Sequence, residues 1–342
     1  MATLPLPFDR QIVSLLGRSF RLSANDLHLI SVSQNTVFET REREQNLILR
    51  VSHNRGRTQH EVAAELDWID QLAGRGLPVC RGLPAVDGHR VDVQNHNGIE
   101  YLTVCFERAP GRRILPEDLG SDLAFRLGCL TAQLHQAAQE PDAMTLSAQK
   151  RRPLWTESRL LTSDLQTCLP PEDTLFRNTM RALIAELEPA VKQDQRLVHG
   201  DISYGNAFLD DDTVWIFDFD NCETGSILQD FSTILFDSFF SSLIRHVPKS
   251  EISATVQRQW DSFLTGYRTI CPELFIDAVL LRQFVILREG ILYIHYHRML
   301  QGKEIAPAFR AGMQQMHDNV VRRIPAFELP CWSAAGDRPL PA

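Results

Sequence analysis

The sequence predicts an α+β chain of two lobes. One is a small β-rich N-terminal lobe with one key helix. The other is larger, mainly helical, and carries a β-hairpin. Three observations predict this. Short strand-like runs fill the first third. Pro110 and Gly111 break the chain after the last of those runs. Helical periodicity dominates from there on, interrupted by a β-like stretch from Arg196 to Phe219. The lobes are expected to span residues 1–108 and 109–342, with the hinge near residue 108.

Each element has a local cause. The runs "HLISVS", "NTVFET" and "NLILRVS" are β-like, the third following the charged turn "REREQ". "QHEVAAELDWIDQLAG" puts Val62, Leu66, Ile69 and Leu72 at helical spacing, with Gly74 as a stop. "YLTVCFE" is a further strand, ending at the connector "RAPGRR". "SDLAFRLGCLTAQLHQAA" sets Leu123, Leu127, Leu130 and Leu134 on one helical face, and "EDTLFRNTMRALIAELEPAV" is a second helix. In the hairpin, "RLVH" is a strand, "GDISYGN" a loop, "NAFL" a returning strand, "DDDT" a turn and "VWIFDF" the next strand. From Gly225 onward the chain reads as helical, down to the irregular tail "ELPCWSAAGDRPLPA".

Bulk composition narrows the function. Hydrophobic residues make up 44% of the 342 positions and charged residues 23%, as in a globular chain with a core. The net charge is −8 and no long Lys/Arg run occurs, which argues against nucleic acid or an anionic membrane as partner. A cationic or neutral small substrate fits that balance better. None of the seven Cys forms a Cys-x-x-Cys pair, so neither a zinc ribbon nor a disulfide framework is indicated and a cytoplasmic location is expected. The first twenty residues carry Asp9 and Arg10 before any apolar run, unlike a signal peptide. The apolar segment "FIDAVLLRQFVILREGILYIHYHRML" is interrupted by Asp277, Arg282, Arg288 and Glu289, which predicts a buried core helix in place of a membrane span.

The chemistry concentrates in "LVHGDISYGNAFLDDDTVWIFDFD", where His199, Asp201, Asn206, Asp218 and Asp220 stand among strand-like residues. Asp201 and Asn206 sit at opposite ends of one loop, and Asp218 ends the following strand. Three oxygen-bearing side chains can thus converge on one point. Mg²⁺ takes hard oxygen ligands, usually one or two carboxylates with substrate phosphates completing the shell. Asn206 and Asp218 fit that set as metal ligands. Asp201 is then left to accept a proton from a nucleophile. Asp210, Asp211 and Asp212 read as a solvated turn.

His199-Gly200-Asp201, four residues, then Asn206 has the spacing of a kinase catalytic loop, with Gly in place of Arg. Asp218-Phe219-Asp220 stands where the metal-binding Asp-Phe-Gly stands. In these motifs the chain resembles the aminoglycoside phosphotransferase, choline kinase and homoserine kinase superfamily, which has the protein-kinase-like fold. The resemblance runs from about residue 30 to about residue 240. It implies an ATP- and Mg²⁺-dependent phosphotransferase. The acceptor would be a hydroxyl of a small molecule such as an amino alcohol, amino acid, sugar or aminoglycoside.

The resemblance also implies roles. Arg50 takes the position of the strand Lys that grips nucleotide phosphates, and Glu65, in preference to Glu61, braces it. Phe106 would sit behind the adenine, and the backbones of Glu107 and Ala109 would hydrogen-bond it. His199 and Asp230 would brace the catalytic loop. Ser31, Ser33 and Asn35 lie between the first two strands, in a loop without Gly. They are either phosphate donors or turn residues.

Three rival readings stand beside this one. A bacterial stress-response protein Ser/Thr kinase shares the fold. A pseudokinase or nucleotide-binding scaffold is suggested by Arg50 and the Gly-free loop. A metal-dependent phosphoesterase lacks suitably spaced His ligands. The run from Asp218 straight into "NCETGSILQD" leaves no room for a long activation loop, which favours a small acceptor. That acceptor is expected between the catalytic hairpin and the helices after residue 240.

Overall fold

The structure is a computed structural model that describes residues 10–40, 46–53, 56–96, 98–148, 152–330 and 332. The charged turn at 41–45 and most of the tail lie outside them. A short helix, α1 (Arg10–Arg18), precedes six antiparallel strands: β1 (Leu27–Val32), β2 (Thr36–Thr40), β3 (Leu47–His53), β4 (Gly82–Leu83), β5 (Asp92–His96) and β6 (Ile99–Glu107). They run in the order β1-β2-β3-β6-β4, with β5 also paired to β6. Strand alternation sorts β3. Leu49 and Val51 pack with Phe38, Cys105 and Leu16 of α1 on one face, and Arg50 points to the other.

Between β3 and β4 lies α2 (Gln59–Gly74), over the residues predicted. A capping box starts it: the Thr58 hydroxyl accepts the Glu61 N–H, and the Glu61 carboxylate accepts the Thr58 N–H at 2.7 Å. That local task engages Glu61. Glu65, one turn on, faces inward and is fully buried.

The remaining chain is mainly helical: β7 (Arg112–Arg113), α3 (Ser121–Ala137), α4 (Pro141–Ala148), a π-helical turn (Leu160–Asp164) leading into α5 (Leu165–Thr167), and α6 (Thr174–Gln193). Then come β8 (Arg196–Val198), β9 (Ala207–Asp210), β10 (Thr213–Ile216), β11 (Glu223–Gly225), α7 (Ile227–Ile244), α8 (Lys249–Ile270), α9 (Ala278–Met299) and α10 (Pro307–Arg322). Helices α3 and α8 approach so closely that a Cβ on Gly128 would lie 2.0 Å from the Phe263 carbonyl oxygen. The apolar segment α9 is a core helix, as predicted, with Leu281, Phe284, Val285 and Ile294 buried. Among the described residues one helix, α7, is long and apolar enough to cross a membrane, and 61% of it is buried inside the fold.

The strand pairing of the catalytic segment corrects the predicted single hairpin. β9 and β10 do form a hairpin, through Asp210 and Thr213, but β8 pairs with β11 instead of β9. β9 takes β7, from the connector, as its other neighbour. The cause is the chain path. Gly200 turns the loop after β8 with φ +78°, and a 3-10 turn (Tyr204–Asn206) carries it into β9. A second 3-10 turn, Phe219–Asn221, then returns the chain to β8. The strand expected to run through Phe219 ends at Ile216, and Asp218 follows in a left-handed conformation, φ 63° and ψ 63°.

Candidate active site

Two features hold the catalytic loop. The fully buried Asp230 of α7 accepts the N–H groups of His199 at 3.0 Å and Gly200 at 2.8 Å, and it also bonds His135 Nε2 at 2.9 Å. His199 then reads as the Nε2–H tautomer. Its Nδ1 accepts the Asp201 N–H at 3.2 Å, so its Nε2 donates to the Phe217 carbonyl at 3.2 Å. Burial holds this imidazole below its ordinary pKa, which keeps it neutral. His199 and Asp230 are therefore loop braces, as anticipated.

Gly200 is required where it stands. Besides its φ of +78°, a Cβ there would meet the Asn221 carbonyl oxygen at 2.3 Å. That close approach is the physical reason for Gly between His199 and Asp201.

The Asp201 carboxylate has two partners. Oδ1 accepts from Arg288 Nη2 of α9 at 2.5 Å, and Oδ2 accepts from Asn206 Nδ2 at 3.0 Å. Burial alone would raise Asp201, but Arg288 outweighs it and holds the carboxyl below its ordinary value. Asn206 gives its amide N–H groups to Asp201, which leaves its Oδ1 as the oxygen available for a cation. The Phe217 N–H donates to the Asn206 carbonyl at 3.0 Å, keeping Asn206 beside the strand end that carries Asp218.

Asp218 is 48% exposed to the cleft between the lobes. Its pKa is pushed up to about 7 by the surrounding protein, with Arg50 opposing and Asp220, Asp201 and Glu65 adding to the rise. Solvent in the open cleft moderates that effect. A hard cation would reverse it by neutralising the carboxylate cluster. Asn206 Oδ1 and Asp218 could hold a hard cation such as Mg²⁺, with phosphate oxygens completing its shell. Among the described residues no group of three His, Cys, Asp or Glu forms a self-sufficient metal site.

Arg50 and Glu65 meet as predicted. Two parallel bonds of 2.7 Å join the guanidinium to the carboxylate, with the side chains 5% and 0% exposed. Burial opposes the Arg50 charge, but Glu65 overrides it and raises the pKa. Arg50 also lies 3.8 Å from Asp218 and 5.0 Å above the Phe106 ring. The choice between Glu61 and Glu65 is thus settled in favour of Glu65.

A cleft of about 460 Å³ opens over this pair. Ser33, Asn35, Phe106, Glu107, Ala109, Asn206 and Asp218 all line it. The Glu107 N–H is engaged by the Arg81 carbonyl at 2.9 Å, so what Glu107 offers is its own carbonyl. Ser33 and Asn35 close a bend, the Ser33 N–H donating to the Asn35 carbonyl at 2.9 Å. Asn35 also hydrogen-bonds Asp220.

Sequence reasoning missed the arginines around this site. Arg57, just before α2, donates Nε to Asp220 Oδ1 at 3.2 Å and Nη2 to the Asp220 carbonyl at 2.7 Å. Arg152, 1% exposed, donates to the carbonyls of Glu61, Asp220 and Cys222. Burial favours a protonated Asp220, yet Arg57, Arg50 and Arg152 hold it below the usual carboxylate range. The third residue of Asp218-Phe219-Asp220 thus ties the two lobes together. An Arg before a helix carries no sequence signal for such a tie.

The comparisons agree with this geometry. Residues 28–267 match the phosphotransferase enzyme family. The chain is 24% identical over 319 residues to the amicoumacin kinase of Bacillus subtilis, covering 90% of this chain and 92% of that one. It is 32% identical over 237 residues to an uncharacterised Synechocystis protein, covering 66% and 60%. Among solved structures, an amicoumacin kinase in complex with AMP-PNP, Ca²⁺ and Ami superimposes with TM-score 0.82 at 22% identity, covering 96% and 97%. A microcompartment-associated aminopropanol kinase does so with TM-score 0.67 at 23%, covering 92% and 95%. The family match spans well over half of the sequence, and the fold around the cleft is that of its kinases. The chain accordingly belongs to the phosphotransferase enzyme family and is a small-molecule kinase with an alcohol group as acceptor.

Proposed function

We propose that the chain phosphorylates a hydroxyl of a polyfunctional small molecule held between the catalytic loop and α9, using Mg²⁺-ATP. The observation that carries this reading is the arrangement of Asp201, Asn206, Asp218 and the Arg50–Glu65 pair around the mouth of one cleft. We take residues 1–108 as the nucleotide-binding lobe and 109–342 as the catalytic lobe.

The side chains divide the work. Arg50, fixed by Glu65, grips phosphate oxygens. Asn206 and Asp218 hold the cation. Phe106 backs the adenine, while the Glu107 carbonyl and the Ala109 N–H bond its edge, and Ser33 and Asn35 cover the phosphates. Asp201 orients the acceptor hydroxyl and receives its proton. ATP would supply the transferred group: the acceptor oxygen bonds to the γ-phosphorus as the bond to ADP breaks, and a cation held by Asn206 and Asp218 would neutralise the developing charge. Such transfer rests on positioning and charge neutralisation, so few side chains carry it.

A protein acceptor is disfavoured. The chain passes from Asp218 directly through β11 (Glu223–Gly225) into α7, without a segment long enough to dock a peptide. The relatives' substrates, amicoumacin and aminopropanol, make a hydroxylated small molecule the natural class to screen.

Calorimetric titration with ATP, with and without Mg²⁺, tests the nucleotide site. Wild-type protein binds in a Mg²⁺-dependent way, and Asp218→Ala loses that dependence while melting like wild type. Equal Mg²⁺ dependence in the variant removes the metal assignment.

A further inference from the structure

Asp201 and Asp218 are the same residue type on either side of one candidate cation site. Mg²⁺ is bound through one or two carboxylates, so its chemistry alone does not keep Asp201 from being a ligand. The partners of each oxygen separate the two roles. Asp218 turns its carboxylate to the cleft, with Arg50 at 3.8 Å. In Asp201 both oxygens are taken: Oδ1 accepts from Arg288 Nη2 at 2.5 Å and Oδ2 from Asn206 Nδ2 at 3.0 Å. The same Nδ2 donates to the Asp201 carbonyl at 3.0 Å, which turns Asn206 Oδ1 the other way. A cation on that Oδ1 would lie one amide group from Asp201 Oδ2.

Among the described residues Arg288 is the one cation ion-paired with Asp201. It stands on α9, beyond the residues 28–267 that match the family, and it lines the cavity between that helix and the catalytic loop. Phe284, one turn earlier and buried, anchors this part of α9 in the core. The pair is a poor device for stability. Arg288 Nε is buried without a hydrogen-bond partner among the described residues, a costly state for a donor. Such an orphan calls for a reason other than stability.

A second carboxylate sharpens the need for Arg288. Asp237 of α7 accepts the Tyr204 N–H at 2.7 Å and so holds the turn that ends in Asn206. Burial pushes Asp237 up to about 6; the charge of Asp201 adds to the rise and that of Arg288 opposes it. Without Arg288, Asp201 would keep a like charge as neighbour. A bound cation one amide group away would then attract it.

We propose that Arg288 is a positioning residue that decides what Asp201 does. Its bond to Oδ1, with the Asn206 amide on Oδ2, keeps this carboxylate off the cation and leaves it for the acceptor hydroxyl. This rests on the kinase reading above and adds a residue to the same site. With Arg288 removed, Asp201 becomes a further ligand of the cation.

Mn²⁺, which takes the same oxygen ligands as Mg²⁺, is titrated into the full chain without nucleotide, and the free ion is followed by its paramagnetic resonance signal. Wild type, Arg288→Met, Asp201→Asn and the double variant form a cycle. Arg288→Met tightens Mn²⁺ binding by roughly tenfold, the worth of one charged ligand. In the Asp201→Asn background the same substitution changes it by less than about twofold. Arg288→Lys, which keeps a cation beside Asp201, stays near wild type. A positive charge acting only from a distance would give an equal gain in both backgrounds, and that result overturns the inference. So does an Arg288→Met protein that binds Mn²⁺ as wild type does. If Arg288→Met fails to fold, Arg288→Gln, which keeps an N–H donor without the charge, takes its place in the cycle with the same outcomes. Either of these results leaves the kinase reading intact. Mn²⁺ bound by none of the proteins overturns the metal assignment together with the inference. The kinase reading itself falls if wild-type protein binds no Mg²⁺-ATP.

Discussion

Arg288 of α9 holds Asp201 Oδ1 at 2.5 Å, joining two residues 87 positions apart. The contact holds the loop carboxylate below its ordinary pKa and fixes its orientation. With Asn206 on its other oxygen, Asp201 is positioned before any substrate arrives.

Asp201→Asn should therefore lose most transfer, by roughly 10²- to 10⁴-fold in kcat. Nucleotide binding should survive, because Asn206 and Asp218 remain. Steady-state turnover beside an ATP titration checks this. A variant that loses ATP affinity but turns over normally at saturating ATP would reassign Asp201 as a ligand.

The Arg50–Glu65 pair should behave as a unit. Arg50→Ala leaves the buried Glu65 without its cation, which costs roughly 3–5 kcal/mol and lowers the melting temperature and ATP affinity together. Arg50→Lys keeps the charge without the two-pronged geometry and should retain part of both. Glu65→Ala should weaken ATP binding, whereas Glu61→Ala, which only opens the α2 cap, should leave it intact. Thermal melts and ATP titrations of the four variants decide the matter.

Gly200→Ala should be severe for a single methyl. The left-handed backbone alone costs roughly 1–2 kcal/mol in an L-residue. The Cβ would also sit 2.3 Å from the Asn221 carbonyl oxygen, which must then move together with the loop. Melting temperature and turnover should both fall, turnover more steeply, because Asp201 is the next residue. An active, fully stable Gly200→Ala protein would contradict the loop geometry.

Glu289 predicts a pH effect away from the site. It is 1% exposed on α9, and burial pushes its pKa up from 4.5 to about 8 against hydrogen bonds from Asn319 and the Ala326 backbone. The folded chain keeps this proton where the unfolded chain releases it. Its contribution to stability is therefore complete below about pH 4.5 and is lost as the pH rises through about 8. Glu289→Gln, which keeps the Oε1 acceptor for Asn319 Nδ2, should melt higher than wild type at pH 8 and lose the difference near pH 4. Equal melting curves at both values would place the carboxylate in contact with solvent.

Some of this protein was decided by the sequence alone, because the signals are local. Thr58 and Glu61 start α2 by bonding within one turn, and Val62, Leu66 and Ile69 fix its buried face, so its limits were legible. The spacing of Asp201, Asn206 and Asp218 announced the catalytic loop, and strand alternation aimed Arg50 away from Leu49 and Val51. Tertiary structure decided the rest. That Glu65 braces Arg50 depended on Glu61 being engaged at the cap. That β8 pairs with β11 depended on the path through two 3-10 turns and the left-handed Gly200. That Arg288 meets Asp201, Arg57 meets Asp220 and Arg298 meets Asp164 could not be read at all. In sequence, an arginine on a helix or in a loop looks the same whether it faces water or a carboxylate many residues away. Only the packing of α9 and α2 against the loop makes that choice, since pairing of distant charges leaves no local period to detect.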